Sequence, residues 1–271
     1  MAAGTCALTF ASAISAQQQQ PQPAPVKEFR PGYLTGYLAA AELPNSLELV
    51  PPAPATGSAQ AQADDAFNKA SQTLRDTARG KLATADAQLS FPAAADAFSC
   101  AVGVAINSTE TPYLYQLMRR SLTDVGLSTY RAKNTYNRTR PFVAGSQSTC
   151  TPAEEVALRK DGSYPSGHAA IGWGWALILS ELSPGQSQAV LARGLSFGES
   201  RSICNVHWAS DISAGRLMGA ATVARLHGSS EFEADMKQAA IEIAAQRAKG
   251  KLPAHDCAEE AAALAIKAKQ P

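Results

Sequence analysis

Ala169–Leu182 is apolar at nearly every position, broken only by Ser180 and Glu181 near its end. A helix made from such a run has no polar face to give to water, so it must be buried. It cannot cross a bilayer, because Ala169–Leu179 is far shorter than the roughly 18 apolar residues a span takes and holds Gly172 and Gly174. The run is entered through Gly162-Ser163-Tyr164-Pro165-Ser166-Gly167-His168. Pro165 pushes Tyr164 out of the helical region, and Ser166 is a good N-cap. Backbone N–H groups of Ser166, Gly167 and His168 then point outward at a helix start, where an anion, phosphate above all, is favoured. Gly167 lets that anion approach the backbone, and His168 at the rim has a proton to give.

The rest of the chain is patterned for helices. Residues 1–16 are small and apolar, with Ala11-Ser12-Ala13 and Ile14-Ser15-Ala16 as cleavage sites, and read as a signal peptide whose basic n-region is missing. Residues 17–60 form a flexible leader (QQQQPQPAP) and a Pro- and Gly-punctuated arm laid on the body. Residues 61–249 are the helical catalytic domain, and 250–271 a peripheral Ala-rich tail. Within them the spacing of apolar residues predicts helices over Ala61–Ala83, Ala93–Ile106 and Thr111–Asn137, the last with Pro112 at its first position and either continuous or restarting near Gly126. Further helices follow at Ala169–Leu182, Gln186–Glu199, Trp208–Leu226, Glu231–Lys249 and Ala258–Lys269. No strand alternation is long enough to count, so the fold class is all-α, a single-domain helical bundle.

A formal net charge of +1 with 17% charged residues leaves no basic surface for nucleic acid, and no stretch spans a membrane. Once residues 1–16 and Cys6 are removed, Cys100, Cys150, Cys204 and Cys257 remain. An even number in an exported chain points to two disulfides, with three connectivities open. None of the spacings suits zinc.

Three clusters carry chemistry. In Lys133–Pro141, Lys133 and Arg140 stand seven apart, two helical turns, so they project from nearly the same face. Pro141 ends that element at Arg140. The alternative is a solvated basic face, since Arg131 and Arg138 lie in the same stretch. The second cluster is Ser166-Gly167-His168. In the third, Arg201 offers a planar fork for phosphate oxygens, and His207 and Asp211 are four apart on a predicted helix. An Asp bonded to one imidazole nitrogen leaves the other aimed at a substrate. Two histidines in different surroundings can divide a two-step phosphoryl transfer, one neutral and nucleophilic, the other protonated. No acidic cluster invites a divalent metal, so the protein's cations must neutralise the transferred group.

Lys133-x6-Arg140-Pro141, Pro165-Ser166-Gly167-His168 and Ser200-Arg201-x5-His207-x3-Asp211, in that order, resemble the signature of the phosphatidic acid phosphatase type 2 and vanadium haloperoxidase superfamily. More narrowly, the residues 162–168, the Leu49–Pro54 and Gly57-Ser58 text and the Arg75–Lys81 stretch are similar to class A bacterial non-specific acid phosphatases. The resemblance runs from about Leu43 to Gln246. It implies a helical bundle and metal-independent, acid-pH hydrolysis of varied phosphomonoesters through a phosphohistidine, with phosphotransfer to alcohols. Carried over by position, His207 is the nucleophile, Asp211 orients it, and His168 is the general acid. Lys133, Arg140, Arg201 and the N–H groups of Ser166 and Gly167 hold phosphate. The resemblance also implies no cofactor, inhibition by vanadate as a phosphate mimic, a periplasmic or secreted location, and a homo-oligomer, most simply a homodimer. Ala169 stands where the family usually has Thr, and the tail from Lys249 has no counterpart in it.

Two other functions share the same residues. A vanadate-dependent haloperoxidase would use the same scaffold, and a non-catalytic phosphate-binding protein would leave His168 and the His207–Asp211 pair without a purpose. A lipid phosphatase is disfavoured because no membrane-spanning segment is present.

Overall fold

Helices dominate the structure, a computed structural model that describes residues 21–253 and 255–268. Residues 1–16, with the signal-peptide reading and Cys6, and residues 17–20 of the leader lie outside the described residues. Strands β1 (Glu28–Arg30) and β2 (Tyr33–Leu34) form one small antiparallel ribbon, which the alternation was too short to reveal. The longer helices are α1 (Ala59–Gln72), α2 (Ala78–Ala85), α3 (Pro112–Ser128), α4 (Tyr130–Tyr136) and α5 (Gly167–Leu182). They continue with α6 (Ser187–Ile203), α7 (Ala209–Leu226), α8 (Ser230–Ala248) and α9 (Cys257–Ala265). None of the helices among the described residues is long and apolar enough to cross a membrane.

The apolar run forms α5, and it is the centre of the bundle, packed against α6, α7 and α3. Ser166 caps it, its hydroxyl accepting from the Ala169 N–H at 3.2 Å. Trp175 on α5 is fully buried, stacked edge-on to Phe91, Phe98 and Phe197, with its Nε1–H donating to the Met118 carbonyl at 3.0 Å. Replacing it with Ala would cost about 3–5 kcal/mol through lost burial and the cavity left. Helix α7 crosses α5 with almost no side chain between them. A Cβ on Gly215 would lie 2.4 Å from the Ser166 carbonyl oxygen, and one on Gly219 2.4 Å from that of Ala170. This close approach brings the start of α7 against the start of α5.

Three predicted helices divide. The span predicted over Ala61–Ala83 breaks at residues 73–77, where Thr73 and Thr77 hydroxyls donate back to the Ala70 and Leu74 carbonyls and compete with the helical ladder. Ala93–Ile106 reduces to single turns, the second closed by left-handed Gly103 (φ 79°). Thr111–Asn137 restarts at Thr129, beyond Gly126, and stops at Tyr136, where Asn137 turns left-handed (φ 37°).

The segment from Leu34 to Val50 packs on the helices. Leu34, Leu38 and Val50 are buried, and the Asp124 carboxylate on α3 accepts from the N–H groups of Tyr37 (2.8 Å) and Leu38 (3.1 Å). Glu242 on α8 does the same for α3, accepting from Tyr113 and Leu114, whose N–H groups at the helix start have no intrahelical partner. Of the three connectivities, the structure has Cys150–Cys204 and Cys100–Cys257. The first fastens the loop before the central motif to the end of α6, and the second ties α9 to the body.

Candidate active site

Loops at the N-terminal ends of α5 and α7 meet the C-terminal end of α6, and the cations gather there. Lys133 on α4 is buried, and its Nζ donates to the carbonyls of Gly162 (2.9 Å) and Pro165 (3.0 Å), so it holds the loop that leads into α5. Arg140 is not on the same helix face as Lys133. The helix has ended, and Arg140 is extended (φ −74°, ψ 153°) ahead of Pro141, as a residue before proline should be. It reaches the same place by a turn. Arg201 lies in the last turn of α6, which runs past the predicted end at Glu199, and is 1% exposed. Its Nε and Nη1 have no hydrogen-bond partner among the described residues.

His207 precedes α7 rather than lying on it, because Trp208 is the N-cap. Asp211 stands at the third position of that helix and accepts from the Trp208 N–H at 2.8 Å, closing a turn that brings its Oδ2 to 3.4 Å from His207 Nδ1. Arg140 Nη1 approaches His207 Nε2 at 3.1 Å. Guanidinium can only donate, so Nε2 accepts and the neutral ring carries its proton on Nδ1, toward Asp211. His168 Nε2 lies 3.0 Å from the Ala87 carbonyl oxygen, which only accepts, so Nε2 is the protonated nitrogen and Nδ1 is left for exchange with a substrate.

A cavity of about 220 Å³ is lined by Lys133, Arg140, Gly167, His168, Arg201 and His207 together. Ser166 and Asp211 stand behind that wall. The Ser166 N–H is not turned toward the cavity. It donates to the Asp211 carbonyl at 2.9 Å, a bond made possible by the Gly215 contact. The amide donors left at the start of α5 are those of Gly167 and His168. Tyr33, Leu122, Leu127, Tyr130 and Ile171 make the apolar side of the cavity.

Burial and crowded positive charge govern the ionisation. Burial first, then the neighbouring cations, holds both imidazoles well below the usual histidine range: Arg201 and Arg140 act on His168, and Arg140, Lys133 and Arg201 on His207. A protonated His168, expected from the sequence, is thus not the resting state of the free protein. Burial likewise takes Lys133 down to about 8 and Arg201 to about 10. It pushes the Asp211 carboxyl up, against the pull of Arg138.

Three residues escaped the sequence reading. Arg138, counted with the solvated basic face, bridges Asp211 Oδ1 (2.6 Å) and Asp64 Oδ2 (2.8 Å), and Asp64 on α1 also accepts from the Ser210 N–H at 2.9 Å. Asp161, on the cavity wall, pairs with Arg140 at 3.1 Å and lies 4.0 Å from Lys133. No periodicity announces contacts between residues so far apart in the chain. The one local signal was the excess of basic residues around Arg138, more than one anion needs.

The model of the PAP2 superfamily matches residues 112–232, from the first residue of α3 to the first turn of α8, and so covers every site residue the sequence singled out. Three relatives are similar along most of their length. A non-specific acid phosphatase of Providencia stuartii is 41% identical over 209 residues, 77% of this chain and 84% of its own. An acid phosphatase of Zymomonas mobilis is 36% identical over 257 residues, 93% and 91% of the two chains. A non-specific acid phosphatase of Salmonella typhimurium is 40% identical over 200 residues, 73% and 80%.

Proposed function

The chain belongs to the PAP2 superfamily and is an acid phosphatase, and from that premise we propose that it cleaves phosphomonoesters in two steps through a phosphorylated His207, without a metal. His207 Nε2 attacks phosphorus, an N–P bond forms as the ester P–O bond breaks, and His168 gives the leaving oxygen its proton. Water then attacks the phosphohistidine, its proton returns to His168, and the N–P bond breaks to release phosphate. An alcohol in place of water would give phosphotransfer. Lys133, Arg140, Arg201 and the Gly167 N–H are the groups we assign to the phosphoryl oxygens.

The observation that carries this reading is the convergence of three cations and two imidazoles on one cavity, with Arg140 at His207 Nε2 and Asp211 on the Nδ1 side. The charge the transferred group brings is what His168 lacks. A phosphate dianion beside it offsets Arg201 and Arg140 and raises its affinity for a proton. That coupling supports activity on the acid side of neutrality. A broad leaving-group range is supported by the cavity's apolar side, and export to the periplasm by the two disulfides. We keep vanadate as an inhibitory phosphate mimic and a homodimer as proposals that rest on the family.

The test is p-nitrophenyl phosphate hydrolysis with EDTA present, in the parent, His207→Ala and His168→Ala, with acid-labile phosphoprotein trapped on rapid quench. Turnover that survives EDTA, falls at least about 10³-fold in His207→Ala and leaves no trapped phosphate there supports the two-step route. Loss of activity with EDTA, or undiminished trapping without His207, would remove it.

A further inference from the structure

Arg140 arrives at the cavity with nothing to spare. A guanidinium has five N–H groups. The single one on Nε is shared between the carbonyls of Leu158 (3.0 Å) and Asp161 (2.9 Å). Nη1 is engaged by the Val206 carbonyl (3.3 Å) and His207 Nε2 (3.1 Å), and Nη2 by the Gly162 carbonyl and Asp161 Oδ2, both at 3.1 Å. Arg201, which also lines the cavity, has Nε and Nη1 unpartnered among the described residues. A phosphate meets open donors at Arg201, but at Arg140 it must displace something.

What it displaces can be narrowed by elimination. The four carbonyls at Leu158, Asp161, Gly162 and Val206 belong to backbone, and Gly162 is also held by Lys133. His207 Nε2 must give up its bond to attack phosphorus, but its ring stays beside the reacting group. Asp161 Oδ2 is the remaining partner. It is the one carboxylate among the residues lining the cavity, its side chain is 37% exposed, and it can turn toward water. Left in place, it would face a phosphate oxygen of the same charge across a shared donor.

We propose that Asp161 is the cavity's own counter-anion: it holds the Arg140 donor that a phosphate needs, yields it when substrate binds, and reclaims it as product phosphate leaves. The inference rests on the phosphatase reading above and adds to it a residue that sets phosphate affinity. Three cations and a helix start would otherwise retain the inorganic phosphate that ends each turnover. An internal carboxylate weakens that product complex and gives Arg140 and Lys133 a partner at once.

Asp161→Asn tests this, because the amide keeps an acceptor for Arg140 and removes the charge; Asp161→Ala removes both side-chain acceptor and charge. Inorganic phosphate binding by calorimetry should tighten about tenfold or more in each folded variant. The inhibition constant of phosphate against p-nitrophenyl phosphate should fall in step. Unchanged or weaker phosphate binding in both variants, with a parent that binds phosphate and turns over, would overturn the counter-anion while leaving the phosphatase reading intact. In that case Asp161 only positions Arg140. A parent that binds no phosphate would sink both.

Discussion

Arg140 Nη1 lies 3.1 Å from His207 Nε2, so the nitrogen assigned to attack phosphorus is occupied by a cation until a substrate arrives. The same contact fixes the tautomer, with the ring proton on Nδ1 and Asp211 Oδ2 3.4 Å beyond it. Long-range ¹⁵N–¹H spectra should therefore show His207 as a neutral Nδ1–H ring. It should remain neutral well below the reference value of about 6.5, because burial and Arg140 oppose its protonation. Observation of the Nε2–H tautomer, or of ordinary titration near that value, would refute the arrangement.

Arg140 and Arg201 should separate stability from activity. Arg140 ties four backbone carbonyls together, so Arg140→Met should lower stability by about 3 kcal/mol and also remove activity. Arg201 is buried with unpaired donors, a cost to the fold that only an anion relieves. Arg201→Met should leave the melting temperature unchanged or raised, while kcat/KM falls about 10²–10³-fold. Parallel thermal and kinetic measurements check the pair, and a large loss of stability in Arg201→Met would contradict the reading.

Lys133 should set the alkaline limit of phosphate binding. Burial brings its ammonium down to about 8, so it loses its charge as pH rises through that value, and one of the cations we assign to the phosphate goes with it. Competitive inhibition by phosphate should weaken steadily above about pH 8 in the parent. In Lys133→Met, inhibition should be weaker throughout and no longer change there. Equal pH profiles for the two proteins would rule Lys133 out as the titrating group.

The parts of this site legible in the sequence are those decided by neighbours in the chain. Ser166 caps α5, Pro112 opens α3, and Pro141 keeps Arg140 extended, each by a local steric or hydrogen-bond rule. Lys133 and Arg140 do converge, but through the left-handed turn at Asn137, not through a shared helix face. The His207–Asp211 contact likewise comes from a helix start, where four residues' spacing also closes a turn. What stayed hidden depends on packing between distant segments. Gly215 draws α7 onto α5 and so commits the Ser166 N–H to Asp211; Asp64 comes from α1 to meet Arg138; and the cysteine pairing follows from where the helix ends fall.

Arg138 should matter through Asp211 rather than through substrate. Its side chain lies between two carboxylates that are 1% and 0% exposed, so Arg138→Gln leaves both buried without a cation. A loss of about 3–5 kcal/mol is expected near neutral pH. Adding Asp64→Asn removes one of the stranded charges and should return part of it, a non-additive result for residues in one network. The sign of the pH dependence follows from the same picture. Without Arg138, which pulls against the burial that already raises the Asp211 carboxyl, that carboxyl is pushed further above its unfolded value, so the fold binds more protons than the unfolded chain. Stability of the variant then falls as pH rises, and its deficit against the parent should be smaller at about pH 5 than at about pH 8. Urea unfolding of the parent, the single variant and the double variant at the two pH values decides it: a deficit that does not change with pH, or strict additivity, would show that Arg138 acts by packing alone.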